Sequence, residues 1–92
     1  MKVIFRHLGA VDDLPSKIII NDDRKYITVD ELIDKVSKIS NKNLRDEILE
    51  NEKLKEGLVI MTNGYSIEAQ EGLKTKIFDE NEVLLTVILF GG

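Results

Sequence analysis

The chain has 92 residues, and because compact domains usually hold about 100–200 residues, we expect one small domain over residues 1–92. It contains no cysteine and one histidine, which excludes disulfides, a thiol nucleophile and zinc sites built on cysteines or on two histidines. The net charge of −4 has the wrong sign for binding nucleic acid. No apolar run reaches the roughly 20 residues of a membrane span. We therefore expect a cytoplasmic protein without direct nucleic-acid or membrane contact.

Two β-prone segments open the chain. Residues 1–8 are rich in β-branched and aromatic side chains and predict a first strand. A loop with two aspartates and a proline follows over residues 9–16. Residues 17–20 are β-branched again, and this second strand either ends near Ile27 or closes a hairpin around residues 21–23. We expect the first two strands to pair as a hairpin.

A helical section follows. Thr28 and Glu31 form a capping box, which predicts that a helix begins there. Apolar residues then recur at helical spacing and should pack against a sheet, namely Val29, Leu32, Ile33, Val36 and Ile39. A second helix, capped by Asn43, is predicted over residues 43–55 from a weaker apolar pattern.

The remaining sequence predicts further strands, over residues 58–62, 65–69 and 83–90. Asn63-Gly64 is a strong turn signal, and residues 72–76 are predicted to be a loop. A hairpin, a helix across it and strands returning to the same sheet give an α+β domain, with a mixed sheet and a helix packed on one face. This is the β-grasp arrangement, in which the last strand lies parallel to the first and the helical section is the crossover. We expect the helix to be buried against these sheet residues: Val3, Phe5, Val59, Val83 and Leu85.

The last predicted strand is apolar on both faces. In strict alternation one face carries Leu84, Thr86, Ile88 and Phe90, and the other carries Val83, Leu85, Val87 and Leu89. Up to Thr86, a central strand covered on both sides explains the pattern as well as a docking surface does. Ile88 and Phe90 lie too close to the chain end to be covered well. We therefore interpret Leu84, Thr86, Ile88 and Phe90 as candidate partner-binding residues.

Gly91-Gly92 follows this strand without an intervening polar tail. A frayed terminus would tolerate any sequence, whereas a Gly-Gly segment without Cβ atoms can enter a tunnel that any side chain would block. The α-carboxylate of Gly92 would then be the reactive group. If a partner adenylates it with ATP, sulfur or an amine can attack the acyl carbon, so this chain need supply no catalytic residue and no cofactor.

Other polar residues give weaker signals. His7 is the only imidazole, and without a nucleophile beside it we interpret it as a surface or strand-end residue. The pairs Asp12-Asp13, Asp22-Asp23 and Asp79-Glu80 lack the spacing of a calcium loop. We interpret them as solvated turns and expect no metal site.

Residues 57–63, Leu73, residues 79–85 and the terminal Gly91-Gly92 together resemble the ubiquitin-like sulfur carriers and modifiers. These include the molybdopterin-synthase small subunit, the thiamine sulfur carrier, the ubiquitin-related modifier and the small archaeal modifier proteins. In residues 79–83, Asn81 replaces a usual glycine or aspartate of the family turn. The missing proline before Gly-Gly favours the modifier-like members.

The resemblance implies a protein that is not itself an enzyme. An E1-like adenylating enzyme would activate Gly92, Gly91 would thread its tunnel, and the preceding residues would dock on it. With a sulfur-donor enzyme the product would be a thiocarboxylate, for tRNA thiolation, molybdopterin or thiamine. The other implied outcome is conjugation of Gly92 to a lysine of a target protein. The alternative is a β-grasp module that binds a partner without reacting at Gly92, and removing Gly91-Gly92 distinguishes the two. A small hydrolase is disfavoured by the absent cysteine.

Overall fold

The structure is a computed structural model that describes residues 1–88, so the predictions for Leu89, Phe90, Gly91 and Gly92 lie outside the described residues. In chain order the elements are β1 (Lys2–Leu8), β2 (Lys17–Asn21), β3 (Tyr26–Thr28), α1 (Val29–Ser40), α2 (Leu44–Ile48), β4 (Leu49–Glu50), β5 (Lys53–Leu54), β6 (Leu58–Thr62), β7 (Tyr65–Ser66), two 3₁₀ turns (Ile67–Ala69 and Gly72–Lys74), β8 (Lys76–Phe78) and β9 (Glu82–Val87).

A mixed sheet of five strands forms one layer, in the order β2-β1-β9-β6-β7. β1 and β2 form the predicted antiparallel hairpin, and β9 lies parallel to β1. β6 runs antiparallel to β9 on its other side. The parallel pairing of β1 and β9 needs a crossover, which α1 and α2 supply. The predicted α+β fold with a mixed sheet is confirmed.

Helix α1 begins at the predicted capping box. The Thr28 hydroxyl accepts from the Glu31 backbone N–H at 3.2 Å, and the Glu31 carboxylate accepts from the Thr28 N–H at 3.1 Å. The side chains buried against the sheet are Val29, Leu32, Ile33 and Val36, as predicted. Ile39 was predicted to join them, but it is 59% exposed. It lies in the last helical turn, at the margin of the apolar stripe, and this explains its exposure.

Replacing Leu32 by alanine should lower the free energy of unfolding by about 2–5 kcal/mol, because the side chain is 1% exposed and its removal leaves a cavity. Ile39→Ala on the same helix is the matched control and should cost less than about 1 kcal/mol, since little burial is lost. Urea unfolding measures both values. Equal costs for the two variants would contradict the packing described for α1.

The second predicted helix is wrong beyond residue 48. Asn43 caps α2 by accepting from the Asp46 N–H at 3.2 Å, but the chain becomes extended at Leu49. β4 and β5 then form a short hairpin around Asn51 and Glu52, which have φ values of 52° and 62°. A helix cannot pass through left-handed residues, so the segment folds back instead. Leu49 thereby pairs with Leu54 across the hairpin.

Other predictions also need correction. The strand predicted over residues 65–69 is a strand only in its first two residues and continues as a 3₁₀ turn. The short strand β8 was not predicted, and it pairs with β3 so that Ile27 lies opposite Ile77, both fully buried. Val59 was expected in the core beneath α1. It is only half-buried, because alternation along β6 turns Ile60 and Thr62 toward the core and Val59 away from it.

A charged cluster joins the end of β2 to α1. Asp22 contacts both Arg24 and Lys35, and Arg24 also contacts Glu31. The hydrogen bonds from Arg24, followed by those from Lys35, lower the pKa of Asp22. Arg24, followed by the Thr28 backbone N–H, lowers the pKa of Glu31. Both carboxylates are therefore held in the charged form in the folded protein.

This cluster predicts a loss of stability in acid. Because both pKa values are lowered on folding, the unfolded state binds more protons, and the stabilisation is complete only above the ordinary values of 3.8 for Asp22 and 4.5 for Glu31. The free energy of unfolding should fall as the pH drops below those values, and less steeply in high salt, because Arg24, Glu31 and Lys35 are partly exposed to solvent even though Asp22 is not. Arg24→Gln should flatten the curve measured by urea unfolding. An unchanged pH slope in this variant would refute the assignment.

Candidate functional site

The central strand β9 separates two different faces of the sheet. Val83 and Leu85 point toward α1 and are fully buried. The side of the sheet away from α1 is called the outer face below. Its apolar members are Ile4, Leu8, Ile19, Val59, Met61, Leu84 and Ile88.

The strand register makes these side chains contiguous. Leu84 lies between Arg6 of β1 and Met61 of β6. One pleat further along, Thr86 lies between Leu8 and Val59. Leu8 is 61% exposed, Ile19 45% and Ile88 44%. An apolar surface with this much exposure is typical of an interaction site.

Residues 89–92 are called the tail below. The residues directly before it are hydrogen-bonded to the end of β1 and to the residue before β6. The Ile88 N–H donates to the Gly57 carbonyl oxygen at 2.7 Å, and the Thr86 hydroxyl donates to the Leu8 carbonyl oxygen at 3.2 Å. Gly9 has a φ of +69°, and a Cβ built there would lie 4.0 Å from Val87 Cγ2. The two hydrogen bonds hold the backbone at Ile88 and the side chain of Thr86 against the neighbouring strand ends.

The structure brings three of the predicted partner-binding residues together. Leu84 and Thr86 are half-buried on the outer face, and Ile88 is exposed at its end. Phe90, Gly91 and Gly92 lie outside the described residues.

Sequence reasoning missed the outer-face residues that other strands supply, namely Ile4, Leu8, Ile19, Val59 and Met61. Alternation along β1 was an available signal, because Val3 and Phe5 belong to the core and their neighbours must point the other way.

His7 was predicted to lie at the surface or at a strand end. It lies one residue before the end of β1, but its side chain is buried, so the surface position is wrong. Its side chain follows Val3 and Phe5 on the inward positions of β1 and is 7% exposed. Nε2 donates to the Leu14 carbonyl oxygen at 2.9 Å, while Nδ1 has no partner among residues 1–88. A ring enclosed in this way cannot reach a substrate, so His7 is not a general base.

A depression of about 450 Å³ beside α1 is lined by Arg45, Glu52 and Leu73, among others. The Arg45 guanidinium contacts Asp30 at 2.8 Å and Asp34 at 3.0 Å. Asp30, and then Asp34, raise the pKa of Arg45 through these hydrogen bonds. The cation is thus already occupied by two carboxylates and offers no free charge to an anionic ligand.

Residues 1–88 contain neither a cluster of metal-binding side chains nor a membrane-spanning helix. No three histidine, cysteine, aspartate or glutamate side chains lie close enough to hold a metal ion. No helix in this part of the chain is long and apolar enough to cross a membrane.

Comparison with known proteins gives consistent matches. The family model for Urm1 (ubiquitin related modifier) matches residues 8–92. A chain of the BexX/CysO complex from Amycolatopsis orientalis is similar with a TM-score of 0.77 and 17% identity, covering 98% of this chain and 99% of that one. The crystal structure of SAMP1 from Haloferax volcanii gives a TM-score of 0.74 and 14% identity, covering all of both chains. No curated protein sequence matches this chain.

The solution structure of Urm1 from Trypanosoma brucei has the same fold, with a TM-score of 0.68 and 12% identity, covering 99% of this chain and 95% of that one. At these identities the structural matches show the fold alone. The family model extends over most of the chain, including β9 and Gly91-Gly92. The chain therefore belongs to the Urm1 family of ubiquitin-related modifiers, among the ubiquitin-like β-grasp carriers and modifiers.

Proposed function

We propose that this chain is a sulfur carrier or protein modifier whose Gly92 carboxylate is activated by an E1-like adenylating enzyme. The observation that carries the proposal is the family match through Gly92, on a strand whose exposed apolar face adjoins the start of the tail. The activated terminus would become a thiocarboxylate or join a lysine of a target protein.

The tail length limits where the enzyme can bind. Residues 89–92 span at most roughly 14 Å when fully extended. The active site that receives Gly92 must therefore lie within that distance of Ile88. Because Ile88 lies at the end of the outer face, an enzyme that covers Leu84, Thr86 and Ile88 meets this condition. Phe90 would extend the same contact, as the strand pattern predicts.

The proposed chemistry requires little from this chain. The Gly92 carboxylate attacks the α-phosphorus of ATP, and pyrophosphate leaves. Hydrosulfide or an enzyme-bound persulfide then attacks the acyl carbon, and AMP leaves; with a persulfide, a thiol must afterwards cleave the S–S bond. A lysine amine would displace the activating group in the same way and form an isopeptide bond. Since His7 is buried, we assign the general base for the amine step to the partner enzyme.

A non-covalent module is the second candidate, and the exposure of the outer face favours it as well. Such a protein needs the outer face but not Gly92. A chain of similar fold is found in the BexX/CysO complex, which supports binding of a partner protein by this fold, with or without chemistry at the tail.

One reconstitution tests the proposal. The purified chain is incubated with its cognate activating enzyme and ATP, and pyrophosphate is measured. A sulfur donor is then added, and the intact mass is recorded. We expect pyrophosphate release that depends on this chain, followed by exchange of one oxygen for sulfur in the C-terminal peptide. Stable capture without pyrophosphate release would support the non-covalent module instead.

A further inference from the structure

Strand β2 forms an open edge of the five-stranded sheet. It pairs with β1 through five consecutive positions without a bulge, and it contains no proline. The opposite edge, β7, has two residues and runs directly into a 3₁₀ turn. Short edges resist pairing with another strand, whereas a regular one of five residues invites it. β2 is therefore the edge that a further strand can join.

The alternation of hydrogen-bonded pairs between β1 and β2 shows which backbone groups of β2 are free. The Asp22 N–H donates to the Met1 carbonyl oxygen at 3.0 Å, and the His7 N–H donates to the Ser16 carbonyl oxygen at 3.0 Å. Because hydrogen-bonded pairs alternate along an antiparallel ladder, Ile18 and Ile20 bond to β1. The backbone groups of Lys17, Ile19 and Asn21 then point away from the sheet, and none has a partner among the described residues.

Exposed isoleucines border this edge on both sides. Ile19 is 45% exposed on the outer face, and Ile39 of α1 is 59% exposed. Successive turns of α1 contact residues that lie progressively closer to β2. Glu31 contacts Arg24, and Lys35, one turn later, contacts Asp22. The helix therefore runs antiparallel to β2. Ile39 lies one turn beyond Lys35, which brings it toward the middle of the edge. Two large apolar side chains are thus left uncovered where a neighbouring strand would lie.

The charges along β2 are complementary to those of a second, antiparallel copy. Lys17 begins the strand, and the exposed Asp23 follows its end. In an antiparallel pair centred on Ile19, Lys17 faces Asn21 of the other copy, with Asp23 of that copy diagonal to it. The two-fold symmetry repeats this contact at the other end. A parallel partner strand of the same sequence would place like charges side by side.

We propose that β2 pairs with β2 of a second copy of this chain, antiparallel and centred on Ile19, to join two sheets into one. Ile19 would exchange both backbone hydrogen bonds with its symmetry mate, and Lys17 would do so with Asn21 of the other copy. The pairing covers Ile19 and brings the two Ile39 side chains toward the two-fold axis. β1 separates this interface from β9, so the outer face around Leu84 and Ile88 stays accessible.

Sedimentation equilibrium of the full chain tests the pairing. The interface is one strand wide, so a dissociation constant of roughly 10 µM to 1 mM is expected. Ile19→Pro removes the central outward N–H while the bonds to β1 come from the residues on either side, and it should weaken association about tenfold or more. Ile19→Val keeps the donor and should associate nearly as the parent chain does. A backbone NMR spectrum of each variant confirms that it is folded.

Charge reversal provides the decisive control. Lys17→Glu and Asp23→Lys should each weaken association, because each places like charges together at both ends of the interface. An equimolar mixture of the two variants should associate again, since every contact in the mixed dimer is then between opposite charges. A chain that stays monomeric up to about 1 mM overturns the proposal. Association that Ile19→Pro leaves unchanged also overturns it, as does an equimolar mixture of the charge-reversed variants that does not associate. Either result would assign the contact to another surface.

Discussion

Deleting Gly92 should reduce adenylate formation and sulfur transfer to background. The deletion moves the terminal carboxylate one residue closer to Ile88, and the extended chain loses about 3.5 Å of reach. A near-attack geometry tolerates an error of only about 1 Å, so the shortened carboxylate cannot reach the α-phosphorus of ATP. Pyrophosphate release and the intact mass of the product provide the measurements.

Controls separate this effect from damage to the fold. Residues 1–88 and the contacts described for them are untouched by the deletion, so the free energy of unfolding should change by less than about 0.5 kcal/mol. Adding one alanine after Gly92 should also abolish the reaction, because an amide then replaces the carboxylate. Normal adenylation of the shortened or the extended chain would refute activation at Gly92 and leave the non-covalent module.

Changing Ile88 to aspartate should weaken capture by the activating enzyme by about tenfold or more, while the melting temperature stays nearly constant. The Ile88 side chain is 44% exposed and adjoins the tail. An aspartate carboxylate at this position is hydrated in the free protein, but in the complex it is buried against the apolar surface of the partner, which is unfavourable. Phe90→Asp should act in the same direction. Binding is measured by calorimetry and stability by thermal unfolding.

Tyr65→Asp is the matched control for this prediction. Tyr65 is 67% exposed, but its register partner Thr62 points toward the core, so Tyr65 does not belong to the outer face. The control should leave capture unchanged. If Ile88→Asp instead lowers stability by several kcal/mol, Ile88 belongs to the core and the docking surface is misassigned.

Local sequence patterns predicted those elements whose interactions are local. The capping box placed the start of α1 because both of its hydrogen bonds connect Thr28 and Glu31, three residues apart. The helical spacing after it identified the buried face. Strand β8 was missed because it has three residues and is stabilised by pairing with β3, about fifty positions earlier in the chain. No short-range pattern contains that pairing.

The functional surface was only partly predictable for a related reason. Alternation along β9 correctly separated Leu84 and Thr86 from Val83 and Leu85. The strands β1 and β6 are apolar on both faces, so their sequences do not say which side chains lie beside Leu84. The strand register supplies that information. Met61 lies beside Leu84, and Val59 lies beside Thr86 on the outer face and not in the core. The inward position of His7 on β1, after Val3 and Phe5, also predicts its burial. Its identity as the single imidazole of the sequence does not.

Intact mass spectrometry of the chain isolated from its native cells, with rapid trapping of thiocarboxylates, tests the central claim most directly. The account predicts that part of the population carries one sulfur in place of oxygen at Gly92, or carries Gly92 in an isopeptide bond to a lysine of another protein. A population in which Gly92 always ends in an unmodified carboxylate, or is always followed by further residues, would contradict it.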